Sequence, residues 1–303
     1  MSEASDLDPK AVRLQFARRT QRLAGADFLL REIERRMLER LELVRLQPAL
    51  IVDAGCGLGQ GSVLLQQRYP AANVLGIDVS APMAAAAAAL HGEQARRSMF
   101  DRLRRLFGAA QPGAQAPWFV AADAASLPLP AASVDLVWSN LAWHWFADRG
   151  ALLQEWRRAA RGGCLLMFSA FGVDSLRELR DIGVSTPRFD DMHDIGDWLV
   201  TAGFAEPVMD AERMTVTWES PQRLLSELHA LGGNAVRSRG KGMRGRSYLQ
   251  SRLDRLAGLA GPDGRIALSV EIVYGHAWAP AQRPLPPGFA PVRFDRGGGR
   301  GTP

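Results

Sequence analysis

From Asp27 to Leu46 the apolar residues recur at three- and four-residue steps: Phe28, Leu29, Ile33, Met37, Leu38, Leu41 and Val44, with Arg and Glu between them. This spacing predicts an amphipathic helix, which Pro48 ends. Residues 1–46 are therefore expected to form an N-terminal helical cover. The pattern then changes period. Ala49-Leu50-Ile51-Val52-Asp53 is a short apolar run of the buried parallel-strand kind. A glycine-rich turn and a helix over Ser62–Tyr69 follow. Further strands are predicted at Asn73–Ile77, Trp118–Ala122, Val134–Ser139 and Cys164–Ser169, with helices between them, including Pro82–Leu90 and Gly150–Arg161. Strands alternating with helices imply right-handed crossovers and an α/β, doubly wound, mostly parallel sheet. Met214–Trp218 and Ile266–Tyr274 complete seven strands, read as an antiparallel hairpin at the sheet edge. Their connection, 219–265, is mostly helical in pattern and is expected to form a substrate or partner insert before the last strand. The main domain then spans 47–280. From Ala279 on, Pro, Gly and Arg dominate, so 281–303 is expected to be a disordered tail.

Composition narrows the setting. The chain has 303 residues, 47% hydrophobic and 23% charged, long enough for a full core without staples. Its two cysteines, Cys56 and Cys164, exclude a disulfide framework and a multi-cysteine zinc site, and no metal is expected. No apolar run approaches the roughly 18 residues of a membrane span. Met1–Lys10 lacks the apolar segment of a secretory signal. A reducing, cytoplasmic location is expected.

The net charge is +5, from 37 basic and 32 acidic residues, and 35 of the basic residues are Arg. Its distribution matters more than its total. Arg237, Arg239, Lys241, Arg244 and Arg246 carry +5 within ten residues. Arg96, Arg97, Arg102, Arg104 and Arg105, against Asp101, carry +4, and the tail after Pro280 carries +3. The rest of the chain is therefore at −7, a mildly acidic body with two basic segments. Such segments suit an acidic protein partner. Nucleic acid would call for interleaved aromatics, and only Tyr248 lies nearby.

The sharpest local signal is Gly55-Cys56-Gly57-Leu58-Gly59 after the strand ending in Asp53. Glycines let the backbone turn tightly and approach a ligand closely. The third glycine of G-x-G-x-x-G is replaced by Ser62. Asp78, ending the next strand, is placed to accept hydrogen bonds from ribose hydroxyls. A dinucleotide or S-adenosylmethionine would fit. The D-x-G-C-G-x-G opening resembles motif I of class I S-adenosylmethionine-dependent methyltransferases, whose fold is Rossmann-like. That resemblance makes Asp53 the acid that orders the loop and Asp78 the ribose-binding acid. It makes Asp123 and Ala124 the adenine-contacting pair. Asn140, at the end of the fourth strand, joins the same cofactor set. Leu127-Pro128-Leu129-Pro130, Val134-Asp135-Leu136-Val137 and Gly162-Gly163 match that family's later segments. Cys56 reads as a small apolar filler.

Methyl transfer from a sulfonium is an in-line displacement in which the protein supplies alignment and a dry pocket. A carboxylate acceptor is already ionised at pH 7 and needs no catalytic acid or base. No Asn-Pro-Pro-Tyr-type motif follows the fourth strand, which argues against amide and adenine acceptors. Ser139-Asn140-Leu141-Ala142-Trp143-His144-Trp145, the segment Phe168–Arg180 and Val270–Trp278 instead resemble the malonyl-acyl-carrier-protein O-methyltransferase family of biotin synthesis. That resemblance implies esterification of the free carboxylate of a malonyl thioester, on acidic acyl carrier protein or on coenzyme A. Arg177 and Arg180 are then candidates to hold the carboxylate, and Trp143 and His144 to wall the acceptor site. The cluster Arg237–Arg246 is the candidate carrier-docking surface. Phe16-Ala17-Arg18-Arg19-Thr20 departs from the biotin family's N-terminal helix, and Gly25–Ile33 looks like a sister branch of arginine-hydroxylating assembly factors of respiratory complex I. A protein-modifying enzyme of that branch, or a non-catalytic assembly protein keeping the fold, therefore stays open.

Overall fold

A computed structural model describes residues 7–23, 27–91, 116–184, 186–231, 235 and 245–281. Two helices come first, α1 (Pro9–Leu23) and α2 (Phe28–Glu42). Then follow β1 (Leu50–Ala54), α3 (Gln60–Arg68), β2 (Asn73–Asp78), α4 (81–91), β3 (Trp118–Ala121) and β4 (Val134–Ser139). After a 3-10 turn at Trp143–Trp145 come α5 (Arg149–Ala159), β5 (Ala160–Phe171), α6 (Arg177–Asp181), α7 (Met192–Thr201) and β6 (Ala205–Trp218). The chain closes with α8 (Pro221–Ala230), α9 (Arg246–Ala257) and β7 (Ile266–Trp278).

The seven strands lie in the order β3-β2-β1-β4-β5-β7-β6. The first five run parallel, and β7 is antiparallel to both β5 and β6. The predicted edge hairpin is present, with α8 and α9 in its connection. The sheet order reverses at β1, which has β2 on one side and β4 on the other. In an open α/β sheet a ligand crevice forms at the carboxyl ends of such a pair.

Period-two alternation divides the side chains between two faces. Val52 and Ala54 of β1, with Val137 of β4, pack on one side against Leu152, Leu153 and Trp156 of α5 and Ile195 and Leu199 of α7. Ile51 of β1 and Leu136 and Trp138 of β4 pack on the other side, against Ile33, Met37 and Leu41 of α2 and Leu65 of α3. The helical stripe read from the sequence is this second face, except that Phe28 is exposed. A smaller core ties Leu224 and Leu225 of α8 and Leu256 of α9 to Trp218 and Leu268.

Several elements are longer or newer than the hydropathy pattern predicts, and β7 runs on four residues to Trp278. β6 starts at Ala205, nine residues before Met214. The extra length is an edge strand whose charged residues hide the alternation: Arg36 and Arg40 of α2 pair with its Glu212 and Asp210. Helix α7 was not predicted; its Asp191 caps it by accepting the His193 N–H. β5 extends back to Ala160, across a register irregularity opposite β4. Among the described residues no helix is long and apolar enough to cross a membrane.

Candidate active site

The alternation in β1 also sets the site. Asp53 lies on the same face as Ile51, so its carboxylate points toward α2 and α3. There its Oδ2 accepts the Ser62 hydroxyl at 2.6 Å, with both residues buried. This explains serine at the third glycine position: Ser62 anchors the start of α3 to the acid that ends β1. Gly55, Gly57 and Gly59 all have positive φ, +81°, +53° and +81°. The Gly55 and Cys56 amides donate to the Ile77 carbonyl, and the Gly57 amide donates to Asp78 Oδ2 at 3.1 Å. Asp78 Oδ1 accepts the Ser80 amide at 2.8 Å. Asp78 thus both faces the crevice and braces the glycine loop. Burial pushes the Cys56 thiol well above its ordinary pKa, as befits a filler and not a nucleophile.

A cavity of about 320 Å³ opens over this crevice. It is lined by Gly55, Gly57, Asp78, Asp123, Ala124 and Asn140, so six of the eight expected cofactor residues meet there. Gly59 serves otherwise. It begins α3, and a side chain on it would meet the Phe119 ring at 2.5 Å. Asp53 lines a smaller adjoining cavity of about 70 Å³, together with Asp27, Glu34, Gly55, Gly57 and Asn140. The two cavities share Leu30, Gly55, Gly57 and Asn140.

The acceptor-side expectations need correction. Trp143 is fully buried, stacked on Phe168 with ring centroids 5.2 Å apart, and its Nε1 donates to Asp190. His144 is buried among Trp145, Phe171 and Phe189. Burial, and then the charge of Arg149, lower its pKa to about 3. Neither lines the cavity; the 3-10 turn presents Trp145 and, just past it, Phe146 instead. Arg180 donates to the carbonyls of Ser175 and Val173, fixing its own loop. Arg177 is exposed beside Glu178 and lines a separate recess on β6 and β7. Neither arginine reaches the crevice, because α6 packs on the far end of the sheet against β7. Arg246 is exposed at the start of α9. Arg237, Arg239, Lys241 and Arg244, and the cluster at 96–105, lie outside the described residues.

Two contributors were not foreseen. The first is α1: Pro9, Val12, Arg13 and Phe16 line the cavity at three- and four-residue steps. Phe16 meets the edge of Trp145 at 5.2 Å. The helical cover over 1–46 is expected from the sequence, but Arg and Gln among the apolar residues of α1 hide which of its faces meets the cavity. The second is Glu34, buried on the apolar face of α2. Its Oε1 accepts Trp138 Nε1–H and its Oε2 accepts an Asn140 amide hydrogen, both at 2.6 Å. Asn140 also donates to the Leu30 carbonyl and accepts the Ser169 hydroxyl, so its amide is held in one orientation.

These residues fit S-adenosylmethionine. Asp78 suits a ribose diol, Asp123 with the apolar Ile77, Val79 and Ala124 suits adenine, and the acidic smaller cavity suits the ammonium end of methionine. Burial raises the pKa of Asp53, as does the nearby charge of Asp78, while the Ser62 bond lowers it. Burial, and then the charge of Asp53, raise that of Glu34. Both carboxyls therefore titrate nearer neutrality than ordinary acids. A cationic ligand favours their ionised forms, so binding should release protons and tighten as pH rises until both are ionised. Calorimetry of S-adenosylmethionine binding at pH 7 should thus give different enthalpies in phosphate and in Tris. Identical enthalpies in the two buffers would remove the linkage.

Residues 52–168 match the family profile described as a methyltransferase domain. Malonyl-[acyl-carrier protein] O-methyltransferase of Laribacter hongkongensis is 42% identical over 94% of both chains. That of Gallionella capsiferriformans is 43% identical over 91% of this chain and 93% of its own. Among solved structures, the YcgJ protein of Bacillus subtilis superposes with a TM-score of 0.58 at 12% identity, covering 80% of this chain and 97% of its own. The [4+2]-cyclase SpnF gives 0.52 at 18% identity over 82% of each chain. The shared fold thus reaches proteins named for different reactions, and fold alone does not assign chemistry. Whole-chain identity does: this chain belongs to the malonyl-[acyl-carrier protein] O-methyltransferases, S-adenosylmethionine-dependent enzymes.

Proposed function

We propose that the chain methylates the free carboxylate of a malonyl group carried as a thioester on an acyl carrier protein, or on coenzyme A, in biotin synthesis. The observation that carries this reading is the lining of the larger cavity. Among the described residues it contains no histidine, lysine, tyrosine or cysteine. Of its three carboxylates, Asp78 and Asp123 belong to the cofactor side, and Asp148 caps α5 by accepting the Ala151 amide. A site without a dedicated base suits an acceptor that is already an anion. A neutral amine or phenol would need its proton removed.

When bound, S-adenosylmethionine supplies an electrophilic methyl group on a sulfonium. The chain's own residues bind, orient and exclude water. Asp78 holds the ribose end, and Asn140, locked by Glu34 and Ser169, fixes the floor between the two cavities. Phe16, Trp145 and Phe146 form an apolar wall. Such a wall keeps the acceptor carboxylate poorly hydrated and the displacement in line. The basic residues Arg237–Arg246 fall in the insert between β6 and β7. Their charge would steer an acidic carrier more than add affinity.

The test is transfer of labelled methyl from S-adenosylmethionine to malonyl-carrier protein. A methyl ester then releases the label as methanol in mild alkali, whereas an N-methyl product retains it. No transfer from a chain that binds the cofactor would overturn the reading. The same assay should leave kcat of His144→Phe within about threefold of the parent, because Phe suits the surrounding aromatics. A hundredfold loss would show that the reaction does use a base there.

A further inference from the structure

An anionic acyl group entering the larger cavity meets a lining whose charged groups are mostly acidic. Asp78, Asp123 and Asp148 face it, and among the described residues Arg13 is its sole cationic side chain. The nearby arginines have other duties. Arg149 is buried and bound to Asp190 at 2.9 Å, and Arg31, in the adjoining smaller cavity, is paired with Asp27 at 2.8 Å. Arg13 is exposed and makes no ion pair or side-chain hydrogen bond with any described residue.

Its position is nevertheless set. Asp8 caps α1 by accepting the Lys10 and Ala11 amides, and its own amide donates to the Ala235 carbonyl. Ala11 and Val12 are buried against Leu7 and Ala235, and Phe16 is held against Trp145. Arg13 therefore stands on a fixed helix face, next to Val12 and one turn from Pro9 and Phe16, at the cavity rim. A long side chain there stays hydrated until the substrate arrives, so it carries no burial penalty beforehand.

We infer that Arg13 is a specificity-determining residue that receives an oxyanion of the acyl substrate. The inference rests on the methyl-transfer reading above and assigns the cation that its anionic substrate requires. A guanidinium suits the task because it presents parallel N–H donors to a carboxylate or phosphate and never gives up its charge. The substrate offers two such groups, the malonyl carboxylate and the phosphate of the arm that bears the thioester. Both are oxyanions, one at the reacting end of the arm and one at its carrier end.

The experiment compares the full chain with Arg13→Gln and Arg13→Lys, using malonyl-carrier protein and malonyl-N-acetylcysteamine, which lacks the phosphate. Binding of S-adenosylhomocysteine is measured in parallel. Arg13→Gln should raise KM for malonyl-carrier protein at least about tenfold, with a smaller change in kcat and unchanged S-adenosylhomocysteine affinity. Arg13→Lys should recover part of that loss. The same rise with malonyl-N-acetylcysteamine identifies the carboxylate as the group received, and a rise confined to the carrier substrate identifies the phosphate. KM within twofold of the parent on both substrates overturns the inference. So does a parallel loss of S-adenosylhomocysteine affinity, which would make α1 merely a cover over the cofactor. A parent chain that methylates neither thioester overturns the function reading first, and the inference with it.

Discussion

Asp78→Ala should raise the dissociation constant for S-adenosylmethionine by about a hundredfold while leaving the chain folded. Two losses combine. The ribose hydroxyls lose their acceptor, and the Gly57 amide loses the carboxylate that braces the loop at 3.1 Å. Hydrogen bonds to a charged group contribute about 1.5–3 kcal/mol each, and 1.4 kcal/mol is tenfold in affinity. Stability should change much less. Burial raises the Asp78 pKa despite its bonds to Ser80 and Gly57, so holding the ionised form buried costs the free protein energy. For an acid with a raised folded pKa, that cost grows as pH rises from the unfolded pKa to the folded one. Calorimetric titration beside a thermal melt separates the two effects. Unchanged affinity in a folded variant would refute the ribose assignment.

Gly55→Ala should be more damaging to the site and to the fold. Its φ of +81° disfavours any side chain, at about 1–2 kcal/mol. The added Cβ would also sit 2.5 Å from the Ala142 Cβ. Relieving that overlap moves either the loop or the 140–142 segment, and both line the cavity. Overpacking adds about 1–3 kcal/mol. Gly163→Ala is the internal control: its φ is +86°, but no atom lies within 4 Å of an added Cβ. It should lose only the backbone part of the stability and keep cofactor affinity. Urea denaturation of both variants, with S-adenosylmethionine titrations, makes the comparison. Equal losses of stability together with intact binding by Gly55→Ala would show that the close approach is unimportant.

Much of the architecture was legible because it is local. The short apolar runs of β1, β2 and β4 mark strands buried on both faces, and the three-to-four steps of α2 mark a helix with one buried face, whatever they pack against. The glycine loop was legible for a related reason: only glycine adopts its three positive φ values cheaply. The early end of β6 was not legible, because its charged residues are answered by Arg36 and Arg40 from a helix some 170 positions away.

The amino-acid sequence by itself determined the α/β order, the edge hairpin with its insert, the glycine loop with Asp53 and Asp78, and the methyltransferase family. The first three follow from local backbone preference and from spacing within single strand–loop–helix units, and the family follows from the resemblance of the glycine-loop motif and the later segments. Only the tertiary structure decided which groups line the larger cavity. Three consecutive aromatic residues share one short turn, and stacking of Trp143 on Phe168 leaves Trp145 to line the cavity. Arg180 looked available until its guanidinium met two carbonyls of its own loop. Glu34 looked like one more surface charge on α2 until the sheet face placed Trp138 and Asn140 against it, 104 and 106 positions along the chain. Side-chain direction and hydrogen-bond competition depend on which distant segments pack together, and no local pattern records that.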